Sequence, residues 1–388
     1  MIQSFEEILS LLSSSQKTAK ELKEILLANL VMVGEIPAPT FEKEDRIEFL
    51  LNRFKEAEIA HNSVDEAGNG IGILEGSSNK ESILLVAHAD TVFDSKVDHT
   101  IQIQPKTVQG PGVADNSLGL AVLATIPTIL EELDIELSHN LILMGATRSL
   151  GRGNLKGLRF FLSHFDQPLK AGLGIEGVEL GRLSHTSIGM RRGELTCEVP
   201  ETYDWSRFGD ASAILTINEL INRINKIKTP QRPRTSIVLG SIEGGSSFTT
   251  AKKAKLQFEI RSESSELVQE IHQNMREIVE EVSSRSGDRI ELDIFAERRP
   301  GGLKFSHPLV KRTRQIMDHL DIESRPGPST SELSAFIDQE IPAITLGISK
   351  GSNVRGKDET VEIEPIYTGI AQIIGTLLAI DGGYCEET

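Results

Sequence analysis

Five short apolar runs, GIGILEG, SILLVAH, NLILMGAT, AGLGIEG and PAITLGI, are spaced along the chain with stretches of helical periodicity between them. Such runs are apolar at consecutive positions, which is what a strand covered on both faces requires. Strands alternating with helices such as SLGLAVLATIPTILEEL predict an α/β domain with a largely parallel sheet. Residues 188 to 298 break this rhythm. SIGMRRGELTCEV, the helical ASAILTINELINRINKI, TSIVLGSIEGGSS, AKLQFEIRS, the helical SELVQEIHQNMREIVEEVSS and RIELDIFAE give the order β-α-β-β-α-β of a ferredoxin-like unit. The first pattern then returns in HPLVKRTRQIMDHL and EIPAITLGIS. The chain is therefore read as one domain built from 1–187 and 299–388, with 188–298 inserted into it.

Two domains suit a chain of 388 residues, 38% of them hydrophobic. A formal charge of -16 disfavours nucleic acid and anionic membranes as partners and directs attention to small molecules or other proteins. Cys197 and Cys385 lie far apart with no metal or redox spacing, which points to a reducing cytoplasm. MIQSFEEILSLLSSS carries acids where a secretory signal needs bases, and reads as an amphipathic surface helix. No run reads as a membrane span of ~20 apolar residues.

Open α/β sheets bind ligands beyond the C-terminal ends of their strands. Four segments fall there: AHAD, GVADNSLG, GATRSLGRG and GIEG. His88 can offer an imidazole nitrogen to a metal while Asp90 orients the ring. Asp115 precedes an apolar helix, where a carboxylate can cap, coordinate or do both. Glu176 ends an apolar strand, and a carboxylate in that setting requires a metal or an arginine as partner.

HADTV, GPGVADNSLG, GIEG and the inserted βαββαβ unit, in that order, resemble the co-catalytic zinc exopeptidases, a family that includes carboxypeptidase G, peptidase T, aminoacylase and succinyl-diaminopimelate desuccinylase. The resemblance spans essentially the whole chain, ending in IPAITLGISKGSNVRGKDETVEI. It implies one zinc held at His88, Asp115 and Glu176, and a second bridged by the same aspartate. It also implies a homodimer through the insertion and a substrate carboxylate bound by Arg261.

The chain departs from the family where the chemistry is done. The family's adjacent glutamates, a general base and a second-zinc ligand, are matched by Arg148 and Ser149, and its C-terminal ligand histidine by Arg355. Arginine does not deprotonate in proteins and a lone serine is a poor zinc ligand. No histidine follows His319. In the insertion the family's substrate-contacting histidine and asparagine fall on Asp204 and near Thr249, while Gly244 and Gly245 suit a turn. The reading is a degenerate homologue that binds a small carboxylate-bearing ligand, with Arg148, Arg355 and Arg261 as a cationic pocket and Arg148 and Arg355 in place of the second cation. It carries no cofactor, or at most one zinc at the remaining half-site. The alternative is a residual single-zinc amide hydrolase in which Glu179 or Glu359 has become the base.

Overall fold

The structure is a computed structural model that describes residues 4–42, 44–78, 80–199, 212–245 and 250–387. The chain folds into two compact units, Met1–Ser187 with Gly302–Thr388, and Ile188–Gly301.

The larger unit is a mixed sheet with helices on both faces. In spatial order its main strands are His61–Val64, Gly70–Leu74, Asn140–Ala146, Ser82–His88, Leu169–Glu176, Ala343–Gly347 and Arg182–Ser187, with Arg325–Ser329 beside the last. Asn140–Ala146, Ser82–His88, Leu169–Glu176 and Ala343–Gly347 form a parallel core. All seven residues of Ser82–His88 are buried. Ile83, Leu85 and Ala87 enter the core beneath the terminal helices, while Leu84 and Val86 enter the opposite core. Burial of each large aliphatic side chain contributes roughly 1.5–3 kcal/mol, so both faces of this strand resist a change of register.

Helix Phe5–Glu21 buries Phe5, Ile8, Leu12, Ser15 and Ala19 along one stripe, and Ser4 caps it by accepting from the Glu7 amide at 3.2 Å. It packs on helix Glu364–Asp381. The stretch Val113–Glu132 is long and apolar enough to cross a membrane, contrary to the sequence expectation, but 89% of its most apolar window is buried inside this unit. It is a core helix preceded by an irregular turn, apolar all round because protein covers every side.

A second, four-stranded antiparallel sheet joins Gln102–Ile103, Thr107–Gln109, Thr360–Glu362 and Gly351–Ser352. This clip lays the loop 353–359 against the turn at 113–117.

In the smaller unit the four strands run antiparallel in the order Thr235–Gly244, Lys253–Ser262, Gly189–Glu198, Arg289–Arg298. Helices Ala213–Ile224 and Ser265–Ser286 supply its core with Ile217, Leu220, Ile271 and Met275, which meet Leu195, Leu256, Phe258 and Ile260 from the sheet. Ser264 caps the longer helix by accepting from the Leu267 amide, and Gly287 ends it at φ +77°.

Candidate metal centre

His88 is the last residue of its strand, and its level in the sheet is fixed by pairing with Ala146. Its Nδ1 lies 2.9 Å from the Asp90 carbonyl oxygen and its Nε2 2.9 Å from Asp115 Oδ1. Glu176 ends the neighbouring strand. A Cβ added to Gly177 would stand 2.3 Å from the Ala114 carbonyl oxygen, so glycine is what lets the 176–177 backbone approach the turn that carries Asp115. His88, Asp115 and Glu176 each offer a ligand atom within 4.8 Å of the others. One imidazole and two carboxylates, largely buried, suit a single divalent cation such as zinc. There it would act as a Lewis acid and gather a ligand's oxygen atoms.

Burial alone would lower the His88 pKa, but the hydrogen bond to Asp115 and the charges of Asp115, Glu332 and Asp90 hold it well above its ordinary value. Burial would raise Asp115, yet His88 and Arg355 keep it below the usual carboxylate range. Burial pushes Glu176 up to about 7, with Arg182 the largest opposing influence. Without a cation, the contact between His88 and Asp115 favours the charged form of each, and Glu176 holds its proton more tightly than usual.

The other half of the centre is built differently. Arg148 sits at φ +53°, directly after the strand Asn140–Ala146 and Thr147. Its Nε is enclosed without a hydrogen-bond partner among the described residues, and so is the Ser149 hydroxyl. What this turn supplies is backbone. The Ser149 amide donates to Asp90 at 3.0 Å and the Leu150 amide at 2.9 Å. These amides and His88 offset part of the rise in Asp90 caused by burial. Arg355 lies on the clip loop, with Nε 3.6 Å from Asp115 Oδ2 and its side chain 68% exposed. Of the two arginines expected to stand in for a second cation, only Arg355 forms an ion pair with a carboxylate of this cluster among the described residues.

Both acids named as alternative bases have partners of their own. Glu359 is buried and accepts from the amides of Ala114 at 2.9 Å, Asp115 at 3.2 Å and Arg355 at 2.6 Å, so its carboxylate is a clamp between clip and turn. Glu179 is exposed and pairs with Arg182 at 3.4 Å. In the smaller unit Arg261 is bound to Glu259, which also receives Arg192 at 2.6 Å. Asp204 and Thr249 lie outside the described residues.

Two residues of the centre escaped the sequence reading. Arg46 is completely buried, donating to the carbonyls of Ile36 at 2.8 Å, Ala89 at 3.2 Å and Gly34 at 3.4 Å. Burial lowers its pKa to about 10, against the pull of Asp90 and Glu359. An arginine on the same stripe as Phe49 and Leu50 was its available signal. Glu332 is 5% exposed, and its Oε1 is enclosed without a hydrogen-bond partner among the described residues. Ser329 three residues before it imitates a helix-capping pair and disguises it.

The family model of peptidase family M20/M25/M40 matches residues 84–379. The chain belongs to this family. Solved structures share the fold. A dipeptidase, Dug1p from Saccharomyces cerevisiae, superposes with a TM-score of 0.79 at 11% identity, over 95% of this chain and 98% of its own. A tripeptidase from Staphylococcus aureus gives 0.72 at 16% identity, over 92% and 98%. YxeP from Bacillus subtilis, described as a dinuclear metal-binding peptidase of the M20 family, gives 0.62 at 12% identity, over 92% and 99%. No curated protein sequence matches the chain.

Proposed function

We propose that this member of the M20 family holds one divalent cation at His88, Asp115 and Glu176 and binds a small carboxylate-bearing ligand, a peptide or N-acyl amino acid, without ordinary peptidase turnover. The observation that carries this reading is Arg148 after the strand Asn140–Ala146, where the family resemblance puts the general base. A guanidinium cannot accept a proton at neutral pH. General-base catalysis is typically worth ~10²–10⁴-fold, and neither Glu179 nor Glu359 is placed to recover it.

Within this reading the residues divide the work. His88, Asp115 and Glu176 hold the cation, and Asp90 fixes the imidazole through the 88–90 turn. Arg355 neutralises the outer oxygen of Asp115 and disfavours a second cation there. Arg148 and Arg355 offer guanidinium groups to a ligand carboxylate, for which their planar donors are suited. The smaller unit supplies a surface for a second copy of the chain: the edge strand Thr235–Gly244 exposes Val238 and Ile242, and the adjoining helix exposes Ile214 and Leu215. Light scattering at micromolar concentration is expected to give a dimer, and a monomer would remove that part of the reading.

The test of the main reading pairs cation content with hydrolysis of a dipeptide and N-acyl amino acid panel. One cation per chain and negligible turnover with added zinc are expected. Two tightly held cations, or robust turnover abolished by His88→Ala, would overturn the proposal.

A further inference from the structure

In the larger unit Arg182 opens one strand and Arg325 opens the strand beside it, and the two residues are partners in the parallel register. Neighbouring strands lie ~4.8 Å apart, so two guanidinium-bearing side chains leave the same face of the sheet side by side. Like charges facing each other across a strand pair repel. Backbone contacts nevertheless fix the pair. The Arg325 amide donates to the Gly181 carbonyl at 2.7 Å and the Arg182 amide to the Glu179 carbonyl at 2.8 Å. A Cβ on Gly181 would stand 2.4 Å from the Glu323 carbonyl oxygen, and φ of +98° there also suits glycine.

The two arginines share a cavity of about 370 Å³ lined by Glu179, Arg182, Ser184, Arg325, Gly327 and Pro328, all from the larger unit. Arg182 is held in place: Nε donates to the Ser184 hydroxyl at 3.2 Å and Nη2 to the Ser329 hydroxyl at 3.1 Å, and both serines are buried. Because the Ser184 oxygen accepts from the arginine, its hydrogen remains to donate into the cavity. Arg325 donates through Nη2 to the Leu180 carbonyl, and no carboxylate pairs with it among the described residues. The one acid in the lining, Glu179, stands 3.4 Å from Arg182 Nη1 with its side chain 62% exposed. Two adjoining cations are thus offset by a single carboxylate that water screens, in a chain whose formal charge is -16.

We propose that Arg182, Arg325 and Ser184 form a binding site for a small oxyanion, a phosphate or a carboxylate group, at the edge of the larger sheet. The guanidiniums present planar donors suited to such oxygens, and the serine hydroxyl adds a third. Glu179 is the internal competitor that an incoming anion displaces from Arg182. The site is separate from the one at His88, Asp115 and Glu176. Gly347 pairs with Glu176, and its strand pairs on the other side with Arg182–Ser187. A Cβ on Gly347 would stand 2.3 Å from the carbonyl oxygens of both Val178 and Glu179, so the 178–179 backbone lies over the strand between the two sites. Anion binding here requires neither a cation nor peptide turnover.

The test uses the full-length protein at fixed ionic strength in chloride, titrated calorimetrically with phosphate and, separately, with succinate. Saturable binding of at least one is expected, and the tighter of the two assigns the site to phosphate or to carboxylate groups. Arg325→Gln is expected to weaken that binding about tenfold, Arg325→Lys to restore part of it, and Glu179→Gln to tighten it about threefold by removing the competing acid. An arginine kept only for the Leu180 carbonyl would lower the melting temperature on replacement and leave the titration unchanged. Equal affinity in wild type and Arg325→Gln, weaker binding in Glu179→Gln, or no binding of either anion by the wild type would overturn the proposal. Should Arg325→Gln fail to fold, the exposed change Glu179→Gln decides alone.

Discussion

The two halves of the centre satisfy their carboxylates by different means. On one side His88, Asp115 and Glu176 converge within 4.8 Å, a donor set that suits a cation. On the other, Arg355 occupies Asp115 Oδ2 and the Ser149 and Leu150 amides occupy Asp90. Strand ends fix the first arrangement, and loops fix the second. A loop can exchange its side chains while its amides continue to serve the carboxylate beneath them, so one half can change chemistry without disturbing the sheet that holds the other.

The largest test of that contrast is the charge beneath both halves. Arg46→Met is expected to cost about 3–5 kcal/mol in chemical denaturation, because it leaves three carbonyls unpaired and removes a buried cation that interacts with Asp90 and Glu359. A cost below about 1 kcal/mol would mean that the halves do not share this support. Next is restoration of the altered half. Arg148→Glu, Ser149→Glu and Arg355→His together are expected to tighten binding of a second Zn²⁺ at least ~100-fold, about 2.7 kcal/mol, by calorimetry. An unchanged stoichiometry would show that the loops, and not only their side chains, have moved away from the family geometry.

The pH dependence of the cation-free protein is the third test. Glu176, raised from 4.5 to about 7, loses stability as pH climbs between those values, because the folded state binds the proton more tightly. The His88 contribution is fully present below 6.5 and is lost as pH rises through its elevated folded value. Asp115, held below 3.8, acts in the opposite direction only in stronger acid. Melting curves should therefore show greater stability near pH 5 than near pH 8, by an amount of order 2 kcal/mol. A flat profile would remove the buried, cation-ready half from the account. The smallest effect is expected from Arg355→Ala. An ion pair with one partner 68% exposed contributes under about 1 kcal/mol to stability. A larger loss would make Arg355 a structural part of its loop.

The parallel strands were legible in sequence because residues on both faces are buried, which makes each strand continuously apolar over a stretch too short for a typical helix. His88, Asp115 and Glu176 were legible because they lie at or just beyond strand ends. Arg46 and Glu332 were not, since nothing local distinguishes a charged side chain aimed inward from one aimed at water. Glu359 was noticed for its acidity, which suggested a base; the structure adds three amide partners that make it a clamp, and two of those amides belong to residues 114 and 115.

That clamp sets a schedule for assembly. The Ala114 amide and the Glu359 carboxylate are 245 positions apart in sequence. At ordinary synthesis rates of ~5–20 residues per second, the earlier partner waits roughly 12–50 seconds for the later one. The strands carrying His88 and Glu176 can pair during that interval, but the turn bearing Asp115 lacks its fastening until the clip closes. Contacts so distant along the chain form late and slowly. The proposed cation site should consequently mature after the sheet, and in refolding experiments any metal uptake there should trail the recovery of secondary structure.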